Sequence, residues 1–377
     1  MLGDKAPGPD GFTGAFLKAC WDIIKNDIMD AANAFHSLRT SNLQLINSAS
    51  IILIPKKDGA DAVGDFRPIS LIHSFAKVIT KALALRLQKY MHFIVSQCQT
   101  AFIKTRSIHD NFMAVRTTAR CYHRNRTPAL FLKLDITKVF DSVRWEYLLN
   151  LLQHLGFPQR WRDWIAALLS TSTSRLLLNG VPNPSIRHGR GLRQGDPLSP
   201  LLFVIAIDPL HRILELATEM GALTKLRGKS PHLRISMYAD DAALFVAPLQ
   251  EDIRTLANIL NSFGEVTGLK TNFQKSTVIP IQCQGIDLGP VLNGLAARRA
   301  SFPIRYLGLL LSMTRLKNVD FQPMLDKMTA KLNAWNGRNV SMAGRLTLVK
   351  SVLTSQVIHL LLALRVPKQI LQLIDNK

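Results

Sequence analysis

Acidic residues are scarce in this chain: 26 Asp and Glu stand against 47 Lys and Arg over 377 residues, a formal net charge of +21. Such an excess implies an anionic partner, most simply a nucleic-acid backbone, although charge alone carries no sequence specificity. The basic residues are spread along the chain without a dense tail. Residues 291–377 nonetheless hold thirteen Lys and Arg against three Asp and Glu, which reads as a backbone-gripping surface. Cysteine is also sparse. Cys20, Cys98, Cys121 and Cys283 lie far apart and form no C-x-x-C pair. That excludes a zinc site of the usual spacing and any disulfide framework, and it points to a reduced intracellular compartment. Long apolar runs are missing: 201–207 and 360–364 are too short to span a bilayer, so no membrane partner is expected. No signal peptide opens the chain, and no repeat or low-complexity tract interrupts it. With 47% hydrophobic residues, the chain has material for two or three subdomains around a sizeable core.

Among the few acids, Tyr238-Ala239-Asp240-Asp241 is the most informative group. Leu233, Ile235 and Met237 alternate with Arg234, Ser236 and Tyr238, and a second apolar run covers Ala242 to Val246. This pattern predicts a β-hairpin with two carboxylates at its tip. Adjacent acids on a rigid turn repel each other unless a cation lies between them, and a hard divalent ion such as Mg²⁺ suits carboxylate oxygens. Upstream, Leu130, Leu132 and Leu134 alternate with Phe131, Lys133 and Asp135, so Asp135 ends a strand on the face opposite the leucines. A helix through Trp145, Leu148, Leu149, Leu152 and Leu155 follows, with Asp141 as its N-cap and Gly156 as its stop. A strand-terminal Asp beside an Asp-Asp hairpin is the arrangement that two-metal phosphoryl transfer requires.

The remaining segments frame those acids. A turn cluster at 6–11 leads into a helix near 12–34 with Phe16, Cys20, Ile23, Ile24 and Ile28 on one side. Ala49 to Pro55 reads as a buried strand, Lys56 to Gly59 as a turn, and Asp65 to Leu71 as a returning strand, giving a basic hairpin that carries Lys56, Lys57 and Arg67. A helix near 75–95 follows. Trp161 and Trp164 read as core residues, and Asn179-Gly180 as a hairpin turn. Gly189 to Pro197 forms a glycine-rich loop, with Asp196 as N-cap and Pro197 as first residue of a helix reaching about Met220. Ile253, Leu256, Ile259, Leu260 and Phe263 mark a further helix. A strand over 277–281 and an irregular stretch over 283–300 come next, then a strand-like 304–311. The last part is helical, one face formed by Leu325, Met328, Leu332 and Trp335 and another by Leu346, Val349, Leu353 and Val357.

Taken in order, these motifs resemble the reverse transcriptases of non-LTR (LINE-type) retrotransposons, of the kind found in plants. The resemblance covers nearly the whole chain. It runs from Ala6-Pro7-Gly8-Pro9-Asp10-Gly11-Phe12 through Ile54 to Lys57, Asp65 to Leu71 and Gln99-Thr100-Ala101-Phe102. It continues with the Asp135 block, Gly191 to Pro200, the Tyr-Ala-Asp-Asp tetrapeptide, Asn272 to Ser276 and Arg305-Tyr306-Leu307-Gly308. It implies an α+β right-hand polymerase with fingers, palm and thumb, its antiparallel palm sheet packed on helices. Residues 1–45 would extend the fingers, 46–290 form fingers and palm, and 301–377 form a thumb-like helical region. Asp135, Asp240 and Asp241 would hold two Mg²⁺ ions, with Mn²⁺ as an alternative. Lys56 and Arg67 would clamp the triphosphate, and Gln194 and Gly195 would pack against the templating base and incoming nucleotide. Tyr238 would adjoin that nucleotide, and Lys275 would protonate pyrophosphate. The Phe140 ring would stand under the sugar and clash with a 2′-hydroxyl. RNA template, DNA primer and deoxynucleoside triphosphates would be the partners, in nucleus or cytoplasm; oligomeric state leaves no signal.

Two positions depart from the family pattern. Thr105 replaces a usual glycine before Arg106, and Val139 replaces a usual alanine beside the metal strand. Complete elements of this type also carry an endonuclease and a Cys/His-rich region, which this chain does not show, so it reads as a truncated copy. An inactive nucleic-acid-binding remnant is the alternative. An RNA-dependent RNA polymerase and a group II intron maturase fit less well, because of Phe140 with the tetrapeptide and because of the opening and Arg-Tyr-Leu-Gly motifs respectively.

Overall fold

The computed structural model describes residues 3, 5–39, 42–137, 139–226, 233–334 and 340–376. Its strands in chain order are β1 (Ser48–Pro55), β2 (Phe66–Ile72), β3 (Ala129–Leu134), β4 (Thr173–Leu178), β5 (Val181–Pro182) and β6 (Ile186–Arg187). These are followed by β7 (Ile235–Tyr238), β8 (Asp241–Val246), β9 (Thr277–Ile281), β10 (Arg298–Arg299), β11 (Ile304–Tyr306) and β12 (Leu309–Leu311). The architecture is α+β. One sheet has the order β10-β9-β3-β8-β7, antiparallel apart from the β10–β9 pair. A second has the order β2-β1-β4-β5 with β6 on β4, and β11–β12 is a separate ribbon.

The period of two along β3 separates two cores. Leu130, Leu132 and Leu134 join one cluster with Ala242, Leu244, Val246 and the helix Ser199–Ile207, whose residues from Leu201 onward are all buried. Phe131 joins the other with Ala243, Phe245, Ile279 and the helix Ile108–Arg124, through Phe112, Val115, Ala119 and Tyr122. Ser107 caps that helix by accepting from the His109 amide at 3.1 Å, and His123 and Arg124 suit its C-terminal dipole. The sheet is therefore covered on both faces, which leaves its strand ends for chemistry.

Several expected elements are borne out. Trp161 and Trp164 are core residues packed edge to face at 6.1 Å. Asn179 and Gly180 both take positive φ, as a two-residue hairpin turn demands. Strand 277–281 is β9, and Gly156 follows the helix Trp145–His154 with φ +79.

Others are corrected. The helix after the glycine-rich loop breaks at Asp208 into Ser199–Ile207 and Pro209–Glu219, because Pro209 has no N–H to continue the ladder. It starts at Ser199, not Pro197; Asp196 instead caps the preceding turn, accepting from the Leu198 amide at 2.8 Å. Asp141 lies inside a short helix, Val139–Ser142, while the next begins at Trp145 behind Arg144. The 75–95 helix divides into Ser74–Leu87 and Met91–Ile94, and the 12–34 helix into Gly14–Ala19 and Trp21–His36, with Phe16 and Ile23 exposed. β1 is buried only at Ala49, since its far half projects with β2 as a free hairpin. The 304–311 strand folds back at Leu307-Gly308, both at positive φ, to make the β11–β12 ribbon. In the C-terminal helices Leu325, Met328, Leu353 and Val357 are buried, whereas Leu346 and Val349 face outward; Trp335 lies outside the described residues. No single helix among the described residues is long and apolar enough to cross a membrane.

Candidate active site

The register of β3 against β8 assembles the acidic edge. Leu134 pairs with Ala242 and Lys133 with Ala243, so the next step sets Asp135 opposite Asp241. Phe131 and Phe245 share one core, which puts Lys133, Asp135 and Asp241 on that same face by alternation. Asp240 sits at the tip of the β7–β8 hairpin, one residue after Ala239 at φ +54, while Tyr238 pairs with Asp241. Asp135 and Asp240 are exposed and Asp241 is half-buried. Burial raises the Asp241 carboxyl above its ordinary value, Asp240 and Asp135 push it further, and Lys133, 3.9 Å away, opposes them.

This donor set is hard oxygen on adjoining strand ends, and its internal repulsion is what a divalent cation relieves; the residues fit Mg²⁺. Among the described residues, however, no three His, Cys, Asp or Glu side chains are gathered into a ready-made metal cage. Backbone register brings the carboxylates to one edge.

The other expected site residues fall into three places. Lys275 belongs to a loop stitched to Asp135: the Asn272 amide donates to the Asp135 carbonyl at 2.7 Å, and the Asp135 amide donates to Ser276 Oγ at 3.1 Å. Phe140 is half-buried against Phe203 at 5.1 Å between ring centres, and its carbonyl accepts from the Leu192 amide. Gln194 and Gly195 bridge this segment to the other sheet, the Gln194 carbonyl accepting from the Ser70 amide at 2.7 Å. Gly195 has φ +111, and a Cβ there would lie 2.6 Å from the Ser70 carbonyl oxygen. The glycine thus serves close approach to β2.

Lys56 and Arg67 are on the projecting β1–β2 hairpin, both exposed, and are not brought into contact with the carboxylates. Lys56 Nζ donates to the Gly64 carbonyl at 2.8 Å, within its own turn. Behind the loop, Arg193 and Asp196 form a buried pair at 3.6 Å; burial raises the Asp196 carboxyl, and Arg193 counters it.

Sequence reasoning missed the residues that hold this edge from behind. Gln99 is fully buried and bonds the Ala239 backbone; Asn111 donates to the Met237 carbonyl at 2.9 Å and accepts from the Tyr306 hydroxyl at 2.8 Å. Gln99 and Tyr306 stood inside quoted motifs, which was the available signal. Asp10, in the opening turn, accepts from the Ser74 amide at 2.9 Å and so caps the helix Ser74–Leu87.

A family model described as reverse transcriptase (RNA-dependent DNA polymerase) matches residues 54–311. Reverse transcriptases generally work with divalent metal ions, in keeping with the carboxylate edge. The Transposon TX1 uncharacterized 149 kDa protein of Xenopus laevis is 27% identical over 384 residues, covering 100% of this chain and 29% of its own length. The Pol polyprotein of the type-2 retrotransposable element R2DM of Drosophila melanogaster is 27% identical over 372 residues, covering 94% and 33%. The chain thus spans about a third of the length of these relatives. Telomerase from Candida albicans, solved in complex with a TWJ fragment of telomeric RNA, is similar at a TM-score of 0.47 and 14% identity over 89% of this chain and 58% of that one. The acidic strand ends lie within the matched span, on a mostly antiparallel sheet. The chain belongs to the reverse transcriptase family.

Proposed function

We propose that this chain is an RNA-directed DNA polymerase that extends a DNA primer along an RNA template with deoxynucleoside triphosphates. The observation that carries the reading is the opposition of Asp135 and Asp241 on one sheet face, beside Asp240, with the charges of Asp240 and Asp135 acting on Asp241. Bound at that edge, two Mg²⁺ or Mn²⁺ ions supply the charge that lowers the pKa of the primer 3′-hydroxyl and neutralises the triphosphate and leaving pyrophosphate. Asp135, Asp240 and Asp241 anchor that charge where primer end and nucleotide meet. Phe140 excludes a 2′-hydroxyl by steric clash, with Tyr238 and the Gln194-Gly195 turn flanking the nucleotide. Lys275, in the loop tied to Asp135, hands a proton to pyrophosphate. Arg67 grips phosphate oxygens bidentately and Lys56 adds a point charge once it leaves the Gly64 carbonyl. In this reading residues 1–45 extend the fingers, 46–290 form fingers and palm, and 301–377 act as the thumb, in nucleus or cytoplasm.

A second reading, a nucleic-acid-binding remnant without turnover, draws support from the ungathered carboxylates. Extension of a DNA primer on an RNA template by the purified chain, beside Asp240→Ala, separates the two. Extension that requires Asp240 supports the polymerase. Salt-sensitive RNA binding with no extension by either protein overturns it in favour of the remnant.

A further inference from the structure

The peptide that leads into Asp240 is held by a side chain outside the catalytic set. Ala239 is buried at φ +54, a conformation that a non-glycine residue keeps only when its surroundings over-determine it. Its N–H donates to Gln99 Oε1 at 3.0 Å, and its carbonyl accepts from Gln99 Nε2 at 3.3 Å. One carboxamide therefore satisfies both backbone groups of a buried turn residue that has no other partner of its own kind at the tip. The Ala239 carbonyl belongs to the peptide plane shared with Asp240, so fixing it fixes where the Asp240 Cα stands and the N–Cα bond about which its side chain is set.

Gln99 is itself fixed. Its Oε1 also accepts from the Ala101 amide at 2.9 Å, and its carbonyl accepts from Arg106 Nη1 at 2.6 Å. The same guanidinium takes the carbonyls of Ser96 and Val95, gathering the turn that follows the helix Met91–Ile94. The backbone on either side of Gln99 meets β7 in a single parallel bridge: the Met237 amide donates to the Cys98 carbonyl and the Thr100 amide to the Met237 carbonyl, at 2.8 and 3.0 Å. Asn111, backed by the Tyr306 hydroxyl, takes the second lone pair of the Met237 carbonyl. Gln99, Asn111, Met237 and Tyr306 are buried, Arg106 is partly so, and every link is hydrogen-bonded.

We infer that Gln99 is a positioning residue for the reaction: its carboxamide holds the Ala239–Asp240 peptide against the repulsion among Asp135, Asp240 and Asp241, with Arg106 holding Gln99. The inference rests on the polymerase reading for its functional consequence, while the clamp is a property of the fold.

Gln99→Met tests it, because methionine keeps the length and apolar bulk but makes no comparable hydrogen bonds. Hydrogen exchange of the Ala239 amide should accelerate at least about tenfold while β3 amides keep their protection. In primer extension kcat should fall at least about tenfold with the KM for nucleotide within about twofold, and half-maximal rate should need more Mg²⁺. A merely structural role would lower the melting temperature without that split. If Gln99→Met does not fold, Gln99→Asn, which draws the carboxamide back by one methylene, is read in the same way. Unchanged Ala239 exchange overturns the clamp. Faster exchange with wild-type kcat overturns the positioning role. A wild-type chain that extends no primer overturns the polymerase reading, and exchange alone then decides the clamp.

Discussion

Asp241→Asn should make the metal-free protein more stable. The Asp241 carboxyl is raised by burial first and then by Asp240 and Asp135, and Lys133 at 3.9 Å only partly offsets them. A carboxyl raised on folding contributes stability that is complete below its unfolded value and is lost as pH rises through the folded one. At pH 7 the ionised group therefore costs stability. Its side chain is 43% exposed, so solvent screens the interactions strongly. A unit-charge pair at about 4 Å is worth about 1 kcal/mol in water, and opposed residues of an antiparallel pair have Cα atoms ~4.5–5.5 Å apart. The two weaker repulsions are set against the larger attraction of Lys133, so with burial the net cost is at most about 1 kcal/mol after screening. With an unfolding entropy of about 2.1 cal/mol/K per residue over 377 residues, that raises the melting temperature by at most about 1 °C. Differential scanning calorimetry in a chelator, from pH 7 down through 3.8, is the assay; 3.8 is the ordinary carboxylate value. The gap between variant and wild type should close as the pH falls through the raised folded value toward 3.8. Mg²⁺ should raise the wild-type melting temperature and leave the variant's nearly unchanged. A variant no more stable than wild type at pH 7, or a gap indifferent to pH, would refute the argument.

Three further outcomes follow from the same geometry. Phe140→Ala should admit ribonucleotides, and primer extension with NTPs against dNTPs reads the change; unaltered discrimination rejects the steric role. Gly195→Ala places a Cβ 2.6 Å from the Ser70 carbonyl at a φ of +111, so thermal unfolding should show a loss of about 1–3 kcal/mol, whereas a wild-type melting curve would mean the loop does not pack on β2. Arg67→Ala should raise the nucleotide KM by about tenfold or more with little change in RNA binding by filter retention; an unchanged KM removes Arg67 from the triphosphate clamp.

Much of the site was legible because its signals are local. Alternation along 130–135 placed Asp135 opposite the leucines, and the Asp240-Asp241 hairpin, the Asn179-Gly180 turn and strand 277–281 followed from periodicity and turn chemistry alone. The misreadings have physical sources as well. Apolar spacing suggested one helix through Pro209 and one strand through Leu307-Gly308, where a missing N–H and two positive-φ residues divide the elements. β1 looked buried by composition, yet a hairpin limb with no layer above it stays exposed whatever its residues.

Adjacent residues determine which elements form and which way each side chain points, so the chain by itself carried the three aspartates and the family. Only tertiary structure decided what faces what. The step that sets Asp135 against Asp241 depends on how two distant strands slide past each other, and Gln99 reaches Ala239 across 140 residues of sequence. Packing of both sheet faces selects that register, because a slip of one residue would turn the leucines of β3 into the core built around Phe131 and Phe245.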